Sequence, residues 1–219
     1  MPSPSKKDID AGQAPYSKWF LAVYDFVILG LFCRYIWKCP SQNILDNYNR
    51  NISANHLDVG IGTGYHLDHC RFPSEEPRLA LMDLNENCLK ITGKRLERYR
   101  PETYCGNVYD PFDTGTKRFD SVAINGLLHC IPGTMKDKGV VFDHAKQVLN
   151  PNGTIFGCTI LNQEVEKGLA AKCMMRVTNN SKAFCNLEDG LNDLKDELSK
   201  RFEKVEVNVI GCMALFSAQ

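Results

Sequence analysis

Three glycines on alternate positions, Gly60, Gly62 and Gly64, follow the apolar run His56-Leu57-Asp58-Val59 and precede Tyr65-His66-Leu67, where a helix is expected to begin. A turn between a parallel strand and a helix lies at the carboxyl edge of an α/β sheet, where ligands collect, and glycine lets the backbone approach a ligand with no Cβ in the way. The spacing is G-x-G-x-G, not the G-x-G-x-x-G that presents helical N–H groups to a pyrophosphate. Asp58, just upstream, would repel phosphate and pair with an amine. The pattern therefore points to a ligand that carries an ammonium group.

A second acid, Asp83, ends the short apolar run Leu79-Ala80-Leu81-Met82 about twenty residues later, where an α/β nucleotide fold places the carboxylate that grips both ribose hydroxyls. Gly106-Asn107-Val108-Tyr109-Asp110 and Phe119-Asp120-Ser121-Val122-Ala123-Ile124-Asn125-Gly126-Leu127-Leu128-His129 follow in order. Next come Gln147 to Asn150 and the turn Pro151-Asn152-Gly153 before Thr154-Ile155-Phe156. Glycine-rich turns after strands are common, but four such pieces in this order resemble the class I methyltransferases over residues 50 to 219. The alternative is a Rossmann-like domain for some other nucleotide.

The resemblance implies S-adenosylmethionine as cofactor, held by Asp58, Gly60, Gly62, Thr63 and Gly64 at its amino acid end. Asp83 and Leu84 would serve the ribose, Asn107 and Val108 the adenine, with Asn125 at the end of the fourth strand. Where this family usually has an acid or amide beside the adenine amino group, this chain has the amide Asn107. The upstream run Trp19 to Tyr24, Asp25 and Ile36-Trp37-Lys38-Cys39-Pro40, together with the length, resemble the small stand-alone methyltransferases of the YbcY and VrtF type, the latter from fungal polyketide biosynthesis.

His129, on the loop after the fourth strand, is the candidate general base for a hydroxyl acceptor. The alternative is a histidine that only ties down its loop. Tyr16, Tyr24 and Trp37 are candidates for an aromatic acceptor pocket, drawn to a sulfonium by cation–π attraction, or else plain core. His66 and His69 stand three apart on the expected helix, but zinc would need further ligands that the spacing does not supply, so no metal is expected.

The elements that position these residues follow from periodicity. Strands near 55–59, 79–83, 102–105, 119–124 and 154–160 alternate with helices at 64–70, 85–99 and 135–149, which means a mostly parallel, doubly wound Rossmann-like sheet. Helices at 163–175 and 187–201 precede two runs, Lys204 to Val209 and Cys212 to Ser217, too close together to be parallel. They predict a C-terminal antiparallel hairpin and a seven-stranded sheet. Residues 41–50 read as a short helix capped by Ser41.

The most apolar stretch, residues 16–37, tempts a transmembrane reading through Trp19 to Trp37. Asp25 and Arg34 oppose it, each costing on the order of 3 kcal/mol at the centre of a spanning helix. The expectation is a helical lid at 15–50 over a cofactor-binding core at 51–219, one domain preceded by a flexible tail at 1–14.

At 219 residues, 43% hydrophobic and 24% charged, the composition is that of one globular domain. Lys+Arg and Asp+Glu both number 26, so no net basic field exists to hold a nucleic acid. Ten scattered cysteines without C-x-x-C pairs suit reduced thiols. With no apolar leader before residue 15, the chain is expected in the cytoplasm, and the sequons at Asn51, Asn152 and Asn179 are expected to carry no sugar.

The resemblance implies a methyltransferase, with O-methylation in polyketide-type secondary metabolism as the leading reaction, and the neutral charge and apolar lid point to a small, largely apolar natural product as its acceptor. No stable membrane insertion is expected. The rival is a cyclase that uses the same fold, and the cofactor's fixed positive charge, without methyl transfer. The oligomeric state is left open, a homodimer among the options.

Overall fold

The structure, a computed structural model, describes residues 25–219. The expected tail and the residues Tyr16, Trp19 and Tyr24 lie outside the described residues. A π-helix at Asp25–Ile36 leads into α1 (Ser41–Asn51), β1 (Asn55–Val59), α2 (Tyr65–His69), β2 (Arg78–Asp83), α3 (Glu86–Arg95) and β3 (Glu102–Cys105). β4 (Phe119–Asn125), α4 (Met135–Gln147), β5 (Leu149–Ile160), α5 (Leu169–Asn180), α6 (Leu191–Ser199), β6 (Val205–Ile210) and β7 (Met213–Ala218) complete the chain.

The seven strands form one sheet in the order β3-β2-β1-β4-β5-β7-β6, parallel except where β7 runs against both β5 and β6. The order reverses between β1 and β4, and a crevice opens there at the carboxyl ends of the strands. His56, Leu57, Asp58 and Val59 of β1 are all buried, as expected for a central strand with helices on both faces. One apolar layer gathers Trp37, Ile44, Tyr48, Phe156 and Cys158, and the other gathers Leu57, Val122, Phe142, Leu194 and Phe216.

Two close approaches fix the N-terminal segment to this sheet. A Cβ on Gly211 would lie 2.2 Å from the Trp37 carbonyl, the same oxygen that accepts from the Cys212 amide at 2.9 Å. The β6–β7 turn, with Gly211 in the left-handed region at φ 58°, thereby clamps the chain between the π-helix and α1. On α1, the Asn47 side-chain amide donates to the Gly157 carbonyl on β5 at 3.1 Å.

Several boundaries differ from those read off the sequence. Pro40, not Ser41, occupies the N-cap of α1, and the Ser41 hydroxyl instead meets His66 Nε2 at 2.9 Å. The helix expected at 85–99 closes at Arg95 and continues as a 3₁₀ turn over Glu97–Tyr99. The helix expected at 163–175 begins only at Leu169, because the residues before it are used elsewhere. Gln163 bridges to Gly190, and the Glu164 carboxylate accepts from the Asn192 amide at 2.7 Å, capping α6. The helix expected at 187–201 begins at Leu191, since Asp189 is held by Lys138, and β5 starts five residues early through an irregular pairing with β4. Among the described residues no helix is long and apolar enough to cross a membrane.

Candidate cofactor and acceptor site

The β1–α2 loop has its three glycines in the left-handed region, Gly60 at φ 74°, Gly62 at 53° and Gly64 at 69°. Each has a different reason. A Cβ on Gly64 would sit 2.4 Å from Thr92 Cγ2, and one on Gly60 3.0 Å from a Leu127 methyl. Gly62 meets nothing within 4 Å, so its open side faces space that a ligand can enter. Thr63, between them, is buried and turned away, donating its hydroxyl to Asp25 at 2.5 Å.

Below the loop, Asp58 is buried and accepts from the Tyr48 hydroxyl at 2.6 Å, with His56 Nε2 3.6 Å away. Burial, with Asp58 beside it, pushes the Tyr48 phenol well up, so it stays a donor. At the end of β2, Asp83 accepts from the Asn85 amide at 2.8 Å. Burial raises this carboxyl to about 6, against the lowering effect of hydrogen bonds from the backbone of Asn85, Gly62 and Ile61. Past β3, Asn107 turns its carbonyl oxygen back to the Tyr109 amide at 3.1 Å, and Val108 is buried beside it. At the end of β4, Asn125 Oδ1 is buried with no partner.

These residues line one cavity of about 290 Å³, which continues past Leu127 to an apolar end made by Cys33, Trp37, Ile160, Met174, Phe184 and Met213. Trp37 is buried there, with its ring 5.8 Å from that of Phe184. The cavity brings together Asp58, Gly60, Gly62, Thr63, Gly64, Asp83, Leu84, Asn107, Val108, Asn125, His129 and Trp37, residues spread from position 37 to position 129.

His129 is buried, its ring edge-on to Phe184 at 4.5 Å. Its Nδ1 accepts from the Ile160 amide at 3.3 Å. Burial, helped by the Lys138 cation, pushes it down to about 3, so the imidazole is neutral and weakly basic. A neutral imidazole of lowered basicity is a poor match for abstracting the proton of a phenol, whose pKa lies near 10. His66 and His69 do not converge on a metal position: His66 is engaged by Ser41 and His69 Nδ1 donates to the Tyr65 carbonyl at 2.8 Å. Among the described residues no set of three His, Cys, Asp or Glu comes together as metal ligands.

No local pattern of residues marks the clasp over the glycine loop. Asp25 accepts from Thr63 with one oxygen and pairs with Arg95 at 2.7 Å through the other, while Arg95 donates to the Thr63 carbonyl at 2.8 Å. The charge inside an apolar run was its only trace. Phe184 and Tyr48 were missed as well, being ordinary aromatics in their local sequence.

The site's donor set suits a ligand with an ammonium, a diol and a flat heterocycle. The buried and unpaired Asn125 Oδ1 can accept, Asp83 offers a carboxylate, and open space faces Gly62. A family model described as "Methyltransferase domain" matches residues 57–155. The demethylluteothin O-methyltransferase of Streptomyces thioluteus is 37% identical over 207 residues, 94% of this chain and 90% of that protein. The N-methyltransferase vrtF of Penicillium aethiopicum is 34% identical over 205 residues, 93% of this chain and 85% of that protein. Among solved structures, the DhpI–SAH complex superposes with a TM-score of 0.71 at 15% identity, over 99% of this chain and 98% of that one.

Proposed function

We infer the function from the premise that this chain belongs to the class I S-adenosylmethionine-dependent methyltransferases: it is a methyltransferase with that cofactor, and its acceptor is a small, largely apolar natural product methylated on oxygen. The observation that carries the reading is the single cavity running from the glycine loop and Asp83 to the apolar end at Trp37 and Phe184. The O-methyltransferase relative from Streptomyces thioluteus supports oxygen as the acceptor atom, and secondary metabolism of polyketide type is the setting we propose. Ten free thiols suit the reducing cytoplasm as its place of work.

In this reading Asp83 grips the ribose hydroxyls, with Leu84 beside them. Asn107 and Val108 hold the adenine edge and face, and Gly60, Gly62, Thr63 and Gly64 shape the loop around the amino acid end. Asn125 Oδ1 accepts from the ammonium, and Asp58, braced by Tyr48, supplies the negative field beneath it. The bound cofactor supplies an activated methyl group. The protein supplies alignment, and holding the acceptor oxygen in line at near-contact distance is worth on the order of 7 to 11 kcal/mol.

The π-helix and α1 act as the lid. They exclude water from the apolar end while Asp25 closes on Thr63 and Arg95. Comparing the metabolites of the producing cell with and without the gene tests the reading. A compound accumulating without the gene should be one methyl lighter than its partner and lack an O–CH₃ resonance. A new N–CH₃ group would reassign the acceptor atom, and a pair of isomers of equal mass would replace methyl transfer with rearrangement.

A further inference from the structure

His129 lines the cavity and takes its hydrogen bonds at one ring nitrogen, Nδ1. A backbone amide can only donate, so the contact of the Ile160 N–H with Nδ1 at 3.3 Å leaves that nitrogen as an acceptor. The Thr159 hydroxyl, at 3.5 Å from the same Nδ1, can donate to it too. In a neutral imidazole the proton then sits on Nε2. Nε2 has no partner among the described residues, and the ring forms part of the cavity wall beside Phe184.

The loop that carries the ring is fixed from behind. The Cys185 amide donates to the His129 carbonyl at 2.8 Å, and the Cys185 carbonyl accepts from Lys138 Nζ at 2.7 Å. Lys138 and Asp189 pair at 2.6 Å with both side chains fully buried. With the loop held in this way, turning the ring over would put a carbon in place of Nδ1 and lose the contacts from the Ile160 amide and the Thr159 hydroxyl.

We propose that His129 is a hydrogen-bond donor to the acceptor substrate, its Nε2–H binding the reacting oxygen as an oxyanion instead of taking the oxygen's proton. This rests on the methyl-transfer reading above. The acceptor's proton is lost to water before the lid closes. The oxyanion then forms the O–C bond as the S–C bond of the sulfonium breaks, and the positive and negative charges cancel. The donor holds the oxygen on the line of transfer and selects acceptors that ionise readily.

Several other titratable groups of the described residues near His129 are already engaged or hold their protons. Lys138 and Asp189 are committed to each other, burial holds the Cys158 thiol well above its ordinary range, and Tyr109 donates its hydroxyl to the Pro132 carbonyl. Cys130 and Cys185 flank the ring on their loops, the latter bonded through its backbone.

Two measurements on the full chain with S-adenosylhomocysteine decide the matter. Histidine ¹⁵N resonances should show His129 with a bare Nδ1 and a protonated Nε2, unchanged over roughly pH 5.5 to 8; a titrating imidazolium or the opposite tautomer overturns the proposal. The second uses 4-nitrophenol, which ionises near neutrality and reports its charge by absorbance. Wild type and His129→Gln, which keeps an N–H donor without basicity, should bind it as the phenolate about one pH unit below its free pKa, and His129→Leu should bind it at least tenfold more weakly. Binding as the neutral phenol, no binding by wild type, or equal phenolate binding by His129→Leu each contradicts the donor role. Neither measurement requires turnover, so an enzyme that fails to make S-adenosylhomocysteine from any acceptor would sink the methyl-transfer reading and leave these two results to stand or fall by themselves.

Discussion

Asp83 carries the strongest residue-scale consequence. A carboxylate can accept from two hydroxyls only when ionised, and in the free protein this carboxyl sits at about 6 because burial disfavours its charge. S-adenosylhomocysteine affinity should be flat above about pH 7 and weaken as pH falls through 6, approaching tenfold per unit below it. Calorimetry across this range should show the slope in wild type and none in Asp83→Asn, which should bind about 1.5 to 3 kcal/mol more weakly at pH 7.5. An identical slope in the variant would move the ribose contact elsewhere.

His66 has the opposite sign. Burial depresses it to about 4, so it is neutral when folded, and the unfolded chain takes up its proton as pH falls below about 6.5. Its contribution is fully present above that value and is lost as pH drops towards 4. Relative to His66→Phe, wild type should lose about 2 kcal/mol of unfolding free energy between pH 7 and 5, measured in urea at both. Asp58, Asp83 and the three glycines were legible because spacing alone marks a strand-turn-helix edge. The tautomer of His129 was not, since it depends on Ile160, thirty-one positions away.

At the scale of elements, the strand–helix alternation of residues 55 to 160 and the final hairpin were readable because apolar runs bounded by turn residues leave little choice. Helix ends were harder. Glu164 looks like a first-turn acid for a helix beginning nearby, yet it caps α6, and Ser41 looks like a cap but reaches His66. Side chains that satisfy a distant partner give no local signal. The π-helix shows the same limit: its Asp25 is explained only by Arg95 and Thr63, far along the chain. This clasp is partly exposed, so its coupling should be modest, about 1 kcal/mol in a cycle of Asp25→Asn and Arg95→Met. Stopped-flow release of S-adenosylhomocysteine should quicken about fivefold in either single variant, and unchanged release would leave the π-helix without a role in closure.

At the scale of the molecule, the two apolar layers and the sheet bring widely separated residues to one crevice, and one buried ion pair secures its far wall. Lys138→Met would strand the Asp189 carboxylate, whose Oδ1 already lacks a partner, and should cost about 3 to 5 kcal/mol in urea unfolding. Adding Asp189→Leu should recover most of that loss. The fold class and the family were both legible, because the order of glycine turn, acid, amide and apolar strands is a property of the whole chain. The acceptor is not encoded that way. Methyl transfer from this crevice is tested most directly by the stoichiometry of the purified chain with S-adenosylmethionine and the light compound recovered from cells lacking the gene. One S-adenosylhomocysteine should appear for each O-methylated product, and conversion of that compound without S-adenosylhomocysteine would contradict it.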